Sequence, residues 1–483
     1  MFAKYLFIMH NSQLISLLRS LDTAAQRRFD RWVASPWVHQ HADTQRLWAY
    51  LRPYGPDYTA AGLEAETAFA QLYPGQPYDD GQMRTLRKYL LRLLRDFLAC
   101  ETLQSDELLV AYGRVQALLT RDTGLHVSRQ LRQADKLLGE APVQNAEYFM
   151  RAYLIENLKL DHAIQHEPRH TLPGIRAVNA ALDAFYLTEK LRYLCTERNL
   201  RAVIGATEEQ ILLAEPVLTH VAANYDTLPV IVRAYFEVYT ALGDPSEEVL
   251  AAYHRLRALL PGSHLGREDL LNLYSGAINI ANQQYRRGDE AFLREMFDLY
   301  REMLDRGLLD ERGMLAMNNY KNIVTLGLRL KDFDWTEQFI ETYRARLSSP
   351  DSEGVYHYNL AHLYSYQQRY GEALRHLQQV EFLDPFYQIS YKMLQLKIFY
   401  ECEEVEALLA LTQTFRTFVR RQQQLPANRK AAHINFARFV RALFMVRIGQ
   451  KHNLDAIEAA IHAADALIEK GWLLDKAAEL RSA

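Results

Sequence analysis

Three histidines with a regular spacing are the residues of this chain most able to do chemistry. His162, His166 and His170 stand four residues apart, which stacks imidazole rings along one face of a helix. Three imidazoles placed in this way could coordinate a metal such as zinc. Pro168 lies within the span, and proline interrupts a helix because it lacks an amide hydrogen. We therefore interpret all three as solvated loop histidines, and we expect no metal site and no cofactor.

The sequence also lacks the short motifs that most often accompany catalysis. It contains no GxGxxG, no Walker-type phosphate loop, no HExxH, no GxSxG and no kinase signature. The expected catalytic set is therefore empty, and we expect a protein that is not an enzyme.

The strongest charge signal lies near the carboxyl end. Residues 407–454 form a stretch of 48 residues with nine Lys or Arg and no Asp or Glu. The predicted basic patch consists of Arg416, Arg420, Arg438 and Arg441, on two amphipathic helices with aromatic inner faces. It could bind nucleic acid, an acidic protein segment, or the acidic residues Glu403, Glu404 and Glu406 just before it.

Helical periodicity dominates the elements that would position these residues. Apolar residues recur at spacings of three and four, as in Leu86, Leu90, Leu93, Leu94 and Phe97. Proline and glycine fall mainly in short connectors, which implies antiparallel neighbouring helices. The sequence therefore predicts an all-α protein.

One segment gives this helical pattern a repeat. Residues 358–385 place large, small and aromatic side chains at the offsets of a known 34-residue motif: Tyr358, Leu360, Ala361, Leu363, Tyr364, Tyr370, Ala373, Leu377, Val380 and Pro385. This segment resembles a tetratricopeptide repeat. Steps of 34 residues in each direction predict related units at 320–353 and 388–421. The resemblance implies an α-solenoid of antiparallel helix pairs with a concave binding surface.

The same register predicts which residues face the concave groove. In such repeats the first helix of each pair lines the groove, so the predicted binding residues are Lys331, Tyr358, Asn359, His362, Tyr366, Lys392 and Phe399. Rigid aromatic rings mixed with lysines suit recognition of a protein or peptide segment. The alternative is that these aromatic rings pack against a neighbouring repeat. Only Asn359 and Lys392 match the pattern that clamps a peptide's terminal carboxylate.

The first part of the chain has a different character. Its turns are rich in tryptophan, proline and tyrosine, and it contains Phe29-x-x-Trp32-Val33-x-Ser35-Pro36-Trp37-Val38 and, later, Met83-Arg84-x-Leu86-x-x-Tyr89-Leu90. These motifs and the layout resemble a group of uncharacterised bacterial helical proteins with a distinct amino-terminal module. The predicted plan is a helical module at 1–104, degenerate helix pairs at 105–310, and TPR-like repeats with basic helices at 311–483.

Composition limits the remaining possibilities. A net charge of −3 over 483 residues gives no overall attraction to nucleic acid or to a membrane. Three widely separated cysteines favour a reducing compartment, and no apolar run is long enough to cross a bilayer. Met9 is an alternative start to Met1. We expect a cytoplasmic, non-enzymatic scaffold or adaptor with no membrane partner; the alternative is a nucleic-acid-associated protein that uses the basic helices.

Overall fold

The computed structural model describes residues 12–38, 41–59, 63–121, 124–166, 172–204, 211–243, 246–262, 264–311, 313–347, 352–380, 385–423, 425–450 and 453–482. The alternative starts Met1 and Met9, together with Pro168 and His170, lie outside these residues. Across the described ranges the chain is helical apart from one short hairpin, β1 (Asp310–Glu311) and β2 (Met314–Leu315). The predicted all-α class is therefore confirmed.

The chain divides into two compact units, Met1–Tyr186 and Leu187–Ala483. The three-part plan stays a prediction, since the observed division falls inside its middle segment. The helices of the first unit are α1 (Gln13–Arg19), α2 (Thr23–Ala34), α3 (Ala42–Leu51), α4 (Ala65–Leu72), α5 (Asp80–Ser105), α6 (Glu107–Leu119), α7 (Gly124–Glu140) and α8 (Ala146–His166). The next helix, α9 (Leu172–Ile204), contains the residues at which the units divide.

Aspartate caps start several helices of the amino-terminal unit. The side chains of Asp22, Asp79 and Asp106 accept hydrogen bonds from first-turn amides of α2, α5 and α6. The apolar face of α5 then packs under α1 to α4, where Phe29 lies between Trp48 and Phe97 at ring-centroid distances of 4.8 and 5.2 Å. Caps fix where the helices begin, and aromatic packing holds this core together.

The carboxyl-terminal unit contains the remaining helices. They are α10 (Ala214–Ala223), α11 (Val230–Ala241), α12 (Glu247–Leu259), α13 (Arg267–Arg286), α14 (Ala291–Asp305), α15 (Met317–Arg329), α16 (Phe333–Tyr343), α17 (Ser352–Tyr366), α18 (Tyr370–Leu377), α19 (Pro385–Glu401), α20 (Val405–Arg421), α21 (Ala427–Arg447), α22 (Leu454–Ala463) and α23 (Lys470–Ser482). Consecutive helices pack as antiparallel pairs, so the arrangement is solenoid-like. The predicted units 320–353 and 388–421 correspond to the pairs α15/α16 and α19/α20.

The first helix of each of five successive pairs ends in the same way. One residue takes a left-handed backbone conformation, and the amide of the residue after it donates to the carbonyl five positions earlier, at 2.8–3.2 Å. This is the Schellman motif, which satisfies the last carbonyls of a helix. The left-handed residues are Gly288, Lys331, Gln368, Glu403 and Gly449. The repeat is therefore visible in backbone geometry even where the sequence pattern is weak.

Contacts on the inner side of the unit also reach past the nearest neighbour. The Tyr387 hydroxyl of α19 donates to the Met317 carbonyl of α15 at 2.7 Å, and Lys321 Nζ lies 2.6 Å from Ser390 Oγ. These bonds join the first helices of two pairs that flank α17 in sequence. The first helices α15 and α19 therefore touch directly.

Candidate functional site

A cavity of about 1580 Å³ opens in the carboxyl-terminal unit; we call it the inner cavity. Its lining comes mainly from the first helices α13, α15, α17, α19 and α21, and from residues 465–479 near the end of the chain. Pockets for small molecules usually measure roughly 300–1,000 Å³. The inner cavity is larger, so it has room for a polypeptide segment.

The lining residues recur at fixed positions in the helix pairs. Counted back from the left-handed residue, position two faces the cavity in four successive pairs, at Arg286, Arg329, Tyr366 and Glu401. Position six does so in three of these pairs, at Asn282, His362 and Lys397, whereas α21 lines the cavity with residues near its start. Residues four apart lie on one face of a helix, which explains why both positions of a helix point inward. Successive pairs therefore present equivalent side chains to one space.

An ion pair ties the end of the chain to this surface. Lys397 Nζ lies 2.6 Å from a Glu469 carboxylate oxygen, and the Arg329 guanidinium lies 4.0 Å from the other. Burial alone would raise the pKa of Glu469, but the neighbouring charges of Lys397 and Arg329 outweigh it and hold that pKa below its ordinary value. Glu469 has a left-handed backbone (φ 54°), a conformation that is strained for a residue other than glycine.

Trp472 forms an aromatic wall beside this ion pair. The ammonium groups of Lys397 and Lys476 lie 5.3 and 5.9 Å from its ring centroid, and Tyr400 meets it edge-on at 5.4 Å. Lys476 Nζ also lies 2.7 Å from a carboxylate oxygen of Glu401. Residues 465–479 are thus part of the cavity wall, fixed by two lysine–glutamate pairs.

His362 is a polar group of the lining whose hydrogen-bonding capacity is not used. Burial, followed by the charge of Lys397, lowers the pKa of His362 to about 3, so the imidazole is neutral at neutral pH. Its Nδ1 atom is enclosed and has no hydrogen-bond partner among the described residues. The ring of Tyr366 packs against it at a centroid distance of 5.3 Å. Enclosed polar atoms without partners are rare in folded proteins.

The structure separates the predicted groove residues into three groups. His362 and Tyr366 line the inner cavity, and Tyr366 is 38% exposed. Tyr358 and Asn359 do not: they are 3% and 0% exposed, the Tyr358 ring packs against Tyr387, and the Asn359 amide donates to the Val355 carbonyl. These two are packing residues, because α17 has neighbours on both sides and little of its surface faces the cavity. Their assignment to a groove is corrected.

The other three predicted groove residues lie outside the lining. Lys331 is exposed at the left-handed turn between α15 and α16. Lys392 Nζ lies 5.6 Å from the Phe418 ring centroid, and Phe399 packs against the core formed by α19 to α23. None of these three residues lines the inner cavity.

The predicted basic patch lies on α20 and α21, and none of its residues is in the cavity lining. Arg420, Arg438 and Arg441 are exposed, Arg416 is half-buried, and the Arg438 guanidinium lies 4.5 Å from the Phe439 ring centroid. Within the described ranges these four arginines form no ion pair. The predicted pairing with the acidic residues before α20 does occur, but through Arg447, which binds Glu403 at 3.0 Å.

Two of the three spaced histidines are described, and they lie on a helix rather than in a loop. His162 and His166 occupy the last turns of α8, with ring centroids 4.3 Å apart. The loop interpretation is corrected for both. The described part of the chain holds no group of three or more His, Cys, Asp or Glu side chains placed to bind a metal.

Sequence reasoning missed most of the cavity. Four residues of the lining were not predicted from the sequence: Arg329, Lys397, Glu469 and Trp472. The first two could have been found from their positions in the helix repeat. Tyr366, Glu401 and Arg329 share one repeat position, and His362 and Lys397 share another. No spacing rule predicts Glu469 or Trp472, because they come from a segment outside the repeat.

No family model, curated protein or solved structure matches the chain. Throughout the described ranges, helices with the length and apolar character needed to cross a bilayer are absent.

Proposed function

We propose that the carboxyl-terminal unit is a non-enzymatic binding module that holds an extended segment of another protein in the inner cavity. The observation that supports this most directly is the repeated inward placement of polar and aromatic side chains by successive first helices. A surface built in this way offers equivalent contacts at regular intervals, which suits an extended chain. The chain would then act as a scaffold or adaptor.

The lining supplies each kind of contact that such a segment needs. Tyr366 and Trp472 offer rigid aromatic surface that loses little conformational entropy on binding. Among the described residues, Arg286 and Arg429 line the cavity without an ion pair, and acidic residues such as Glu290 do the same. The segment that fits best therefore carries a negatively charged, a positively charged and an apolar side chain.

The test is selection of peptides from a phage-displayed random dodecapeptide library on the complete chain. We expect enriched peptides, and we expect their dissociation constants, measured by fluorescence anisotropy, to rise about fivefold or more for Tyr366→Ala, because truncating a central aromatic anchor typically costs more than about 1 kcal/mol.

Tyr89→Ala is the matched control for this substitution. Tyr89 is 37% exposed, against 38% for Tyr366, but it lies on α5 in the other unit. The two variants therefore remove similar exposed aromatic surface. A library without enriched peptides, or peptides that bind Tyr366→Ala as tightly as the unmodified chain, would refute the proposal.

The second candidate function is binding of nucleic acid by the basic patch. It is favoured by the absence of ion pairs at Arg416, Arg420, Arg438 and Arg441 within the described ranges, since arginines without acidic partners can bind phosphates. The apolar faces of both helices are buried, so the guanidinium groups are carried on a rigid surface.

A salt series separates this candidate from the first. Binding of labelled 20-nucleotide RNA or DNA should weaken steeply between 50 and 200 mM salt. Replacing all four arginines with glutamine should reduce the slope of log affinity against log salt by about three. Absence of binding at the lowest salt, or an unchanged slope in the variant, would eliminate nucleic acid as the ligand of this patch.

A further inference from the structure

Helix α9 has two apolar faces, and only one of them is covered. Its buried face consists of Ala184, Leu187, Thr188, Leu191, Leu194 and Cys195. The opposite face carries six large apolar residues that are each 38–60% exposed: Leu172, Ile175, Leu182, Tyr186, Tyr193 and Leu200. Isolated exposed apolar residues are ordinary, but a continuous row along a 33-residue helix is not.

The spacing of the exposed row is that of a coiled-coil seam. The first seam position of a seven-residue repeat is occupied by Leu172, Tyr186, Tyr193 and Leu200. The second seam position, three residues after the first in each repeat, is occupied by Ile175 and Leu182. Polar residues complete the row, with Asn179 at the first position and Glu189 and Thr196 at the second. A seam of this kind is covered by another helix of similar length.

The row complements itself when two copies run in opposite directions. In an antiparallel pair the first seam position of one helix faces the second position of the other. One register then sets Ile175 against Leu200 of the second copy and Leu182 against its Tyr193. Asn179 meets Thr196, and the Tyr186 hydroxyl meets the Glu189 carboxylate. Three of these four pairs match apolar with apolar or polar with polar. The fourth sets the Tyr186 hydroxyl against Glu189, whose carboxylate also binds Arg192 of its own helix at 2.7 Å.

Charges beside the seam select the same register. The flanking residues Arg176, Asp183, Lys190 and Glu197 alternate in sign every seven residues. In that antiparallel alignment Arg176 faces Glu197 of the second copy and Asp183 faces its Lys190, so two-fold symmetry creates four opposite-charge pairs. A parallel pair would instead bring the two Glu189 carboxylates together in the seam, which is unfavourable.

We propose that the complete chain forms a homodimer in which α9 pairs antiparallel with α9 of a second copy. The occupant of the exposed face is therefore the same helix, because no partner of different sequence is needed to match its apolar, polar and charged positions. The interface is isologous, as is usual for two-fold dimers.

The first experiment measures mass in solution by light scattering during size-exclusion chromatography. We expect twice the monomer mass of 56.0 kDa. Leu182→Glu should raise the dimer dissociation constant by about a hundredfold, because each dimer would then bury two unpaired carboxylates in an apolar seam. Leu103→Glu, at a 55% exposed leucine of α5, should leave the mass unchanged. A monomer at high protein concentration, or a dimer that tolerates Leu182→Glu, would overturn the proposal.

The second experiment tests orientation with cysteine pairs and a short bis-maleimide. In the antiparallel arrangement Asn179→Cys combined with Thr196→Cys should give covalent dimers, because each introduced thiol faces the other on the second copy. A parallel pair would also cross-link this double variant, so the single variant decides the orientation. Within one helix these positions are 17 residues, about 25 Å, apart, so a short linker cannot join them in the same chain. Asn179→Cys alone should not cross-link, whereas a parallel pair would join the two copies at that position. If the variant with only Asn179→Cys forms covalent dimers, the antiparallel register is contradicted.

A charge reversal provides the third test. Asp183→Lys should weaken the dimer, because the introduced ammonium group would face Lys190 of the second copy. The double variant Asp183→Lys with Lys190→Asp should restore it, since the pair is then opposite in charge again. In the unmodified chain Lys190 Nζ also donates to the Leu212 carbonyl, and both Lys190→Asp variants lose that bond, so the deciding comparison is the double variant against Asp183→Lys. Failure of the double variant to bind better than Asp183→Lys would count against this register.

Discussion

Gly327→Ala is expected to lower the free energy of unfolding by about 2 kcal/mol or more, within the range for overpacked cores. Gly327 lies in α15 against α16, and a β-carbon at this position would stand 2.3 Å from Thr336 Oγ1 and 3.5 Å from Thr336 Cβ. Thr336 is fully buried, and its hydroxyl donates to the Asp332 carbonyl. A β-branched side chain with that bond cannot rotate away cheaply. Chemical denaturation of the complete chain, followed by circular dichroism, measures the loss.

Gly371→Ala is the matched control. Gly371 is also a helical glycine, in α18, but a β-carbon there would meet nothing within 4 Å. Alanine should therefore be neutral or stabilise the helix by up to about 1 kcal/mol. The double variant Gly327→Ala with Thr336→Ala should recover part of the loss, because the clashing oxygen is gone. If Gly327→Ala and Gly371→Ala are equally stable, close packing of α15 on α16 does not limit stability.

Arg255→Met should cost about 3 kcal/mol, the lower end of the range for breaking a buried ion pair. The Glu237 side chain in α11 is completely buried, and Arg255 of α12 binds both of its oxygens, at 2.8 and 3.0 Å. Hydrogen bonding to Glu237 is the main cause of the raised pKa of Arg255. Methionine keeps much of the stem packing but leaves the Glu237 carboxylate without its cation. Chemical denaturation measures the difference from the unmodified chain.

A double-mutant cycle separates the ion pair from packing. Glu237→Met combined with Arg255→Met removes both charges, so its stability should lie closer to that of the unmodified chain than to that of Arg255→Met. Arg255 is 42% exposed, and its own desolvation therefore contributes little. Equal losses in the single and double variants would show that the stem of Arg255, and not its charge, stabilises α11 against α12.

The helix pairs could be predicted from the sequence because their pattern is local. The large and small residues of 358–385 and the 34-residue steps on both sides led to α15/α16, α17/α18 and α19/α20. The face of each helix was harder to predict. Helix α17 has buried residues around most of its circumference, including Tyr358 and Leu363, because other helices flank it. Periodicity then gives no single apolar stripe, so Tyr358 could not be distinguished from Tyr366.

The cavity itself depends on contacts that no local pattern encodes. Glu469 and Trp472 reach Lys397 across 72 and 75 positions of sequence, and Glu469 does so from a strained turn. Arg416 and Arg447 both belong to the acid-free stretch, yet only Arg447 meets glutamates. Charge counting identified the stretch, but only tertiary structure decides which of its arginines are neutralised.

The hydrogen bonds between α15 and α19 have a consequence for what can enter the inner cavity. The Tyr387–Met317 and Lys321–Ser390 hydrogen bonds hold α15 and α19 in direct contact, and none of these four residues lines the inner cavity. A ligand that pushed the two helices apart would have to break both bonds. If the inner cavity binds a protein segment as proposed, an extended segment can enter without separating α15 from α19, and the entropy lost on ordering it would keep its affinity moderate.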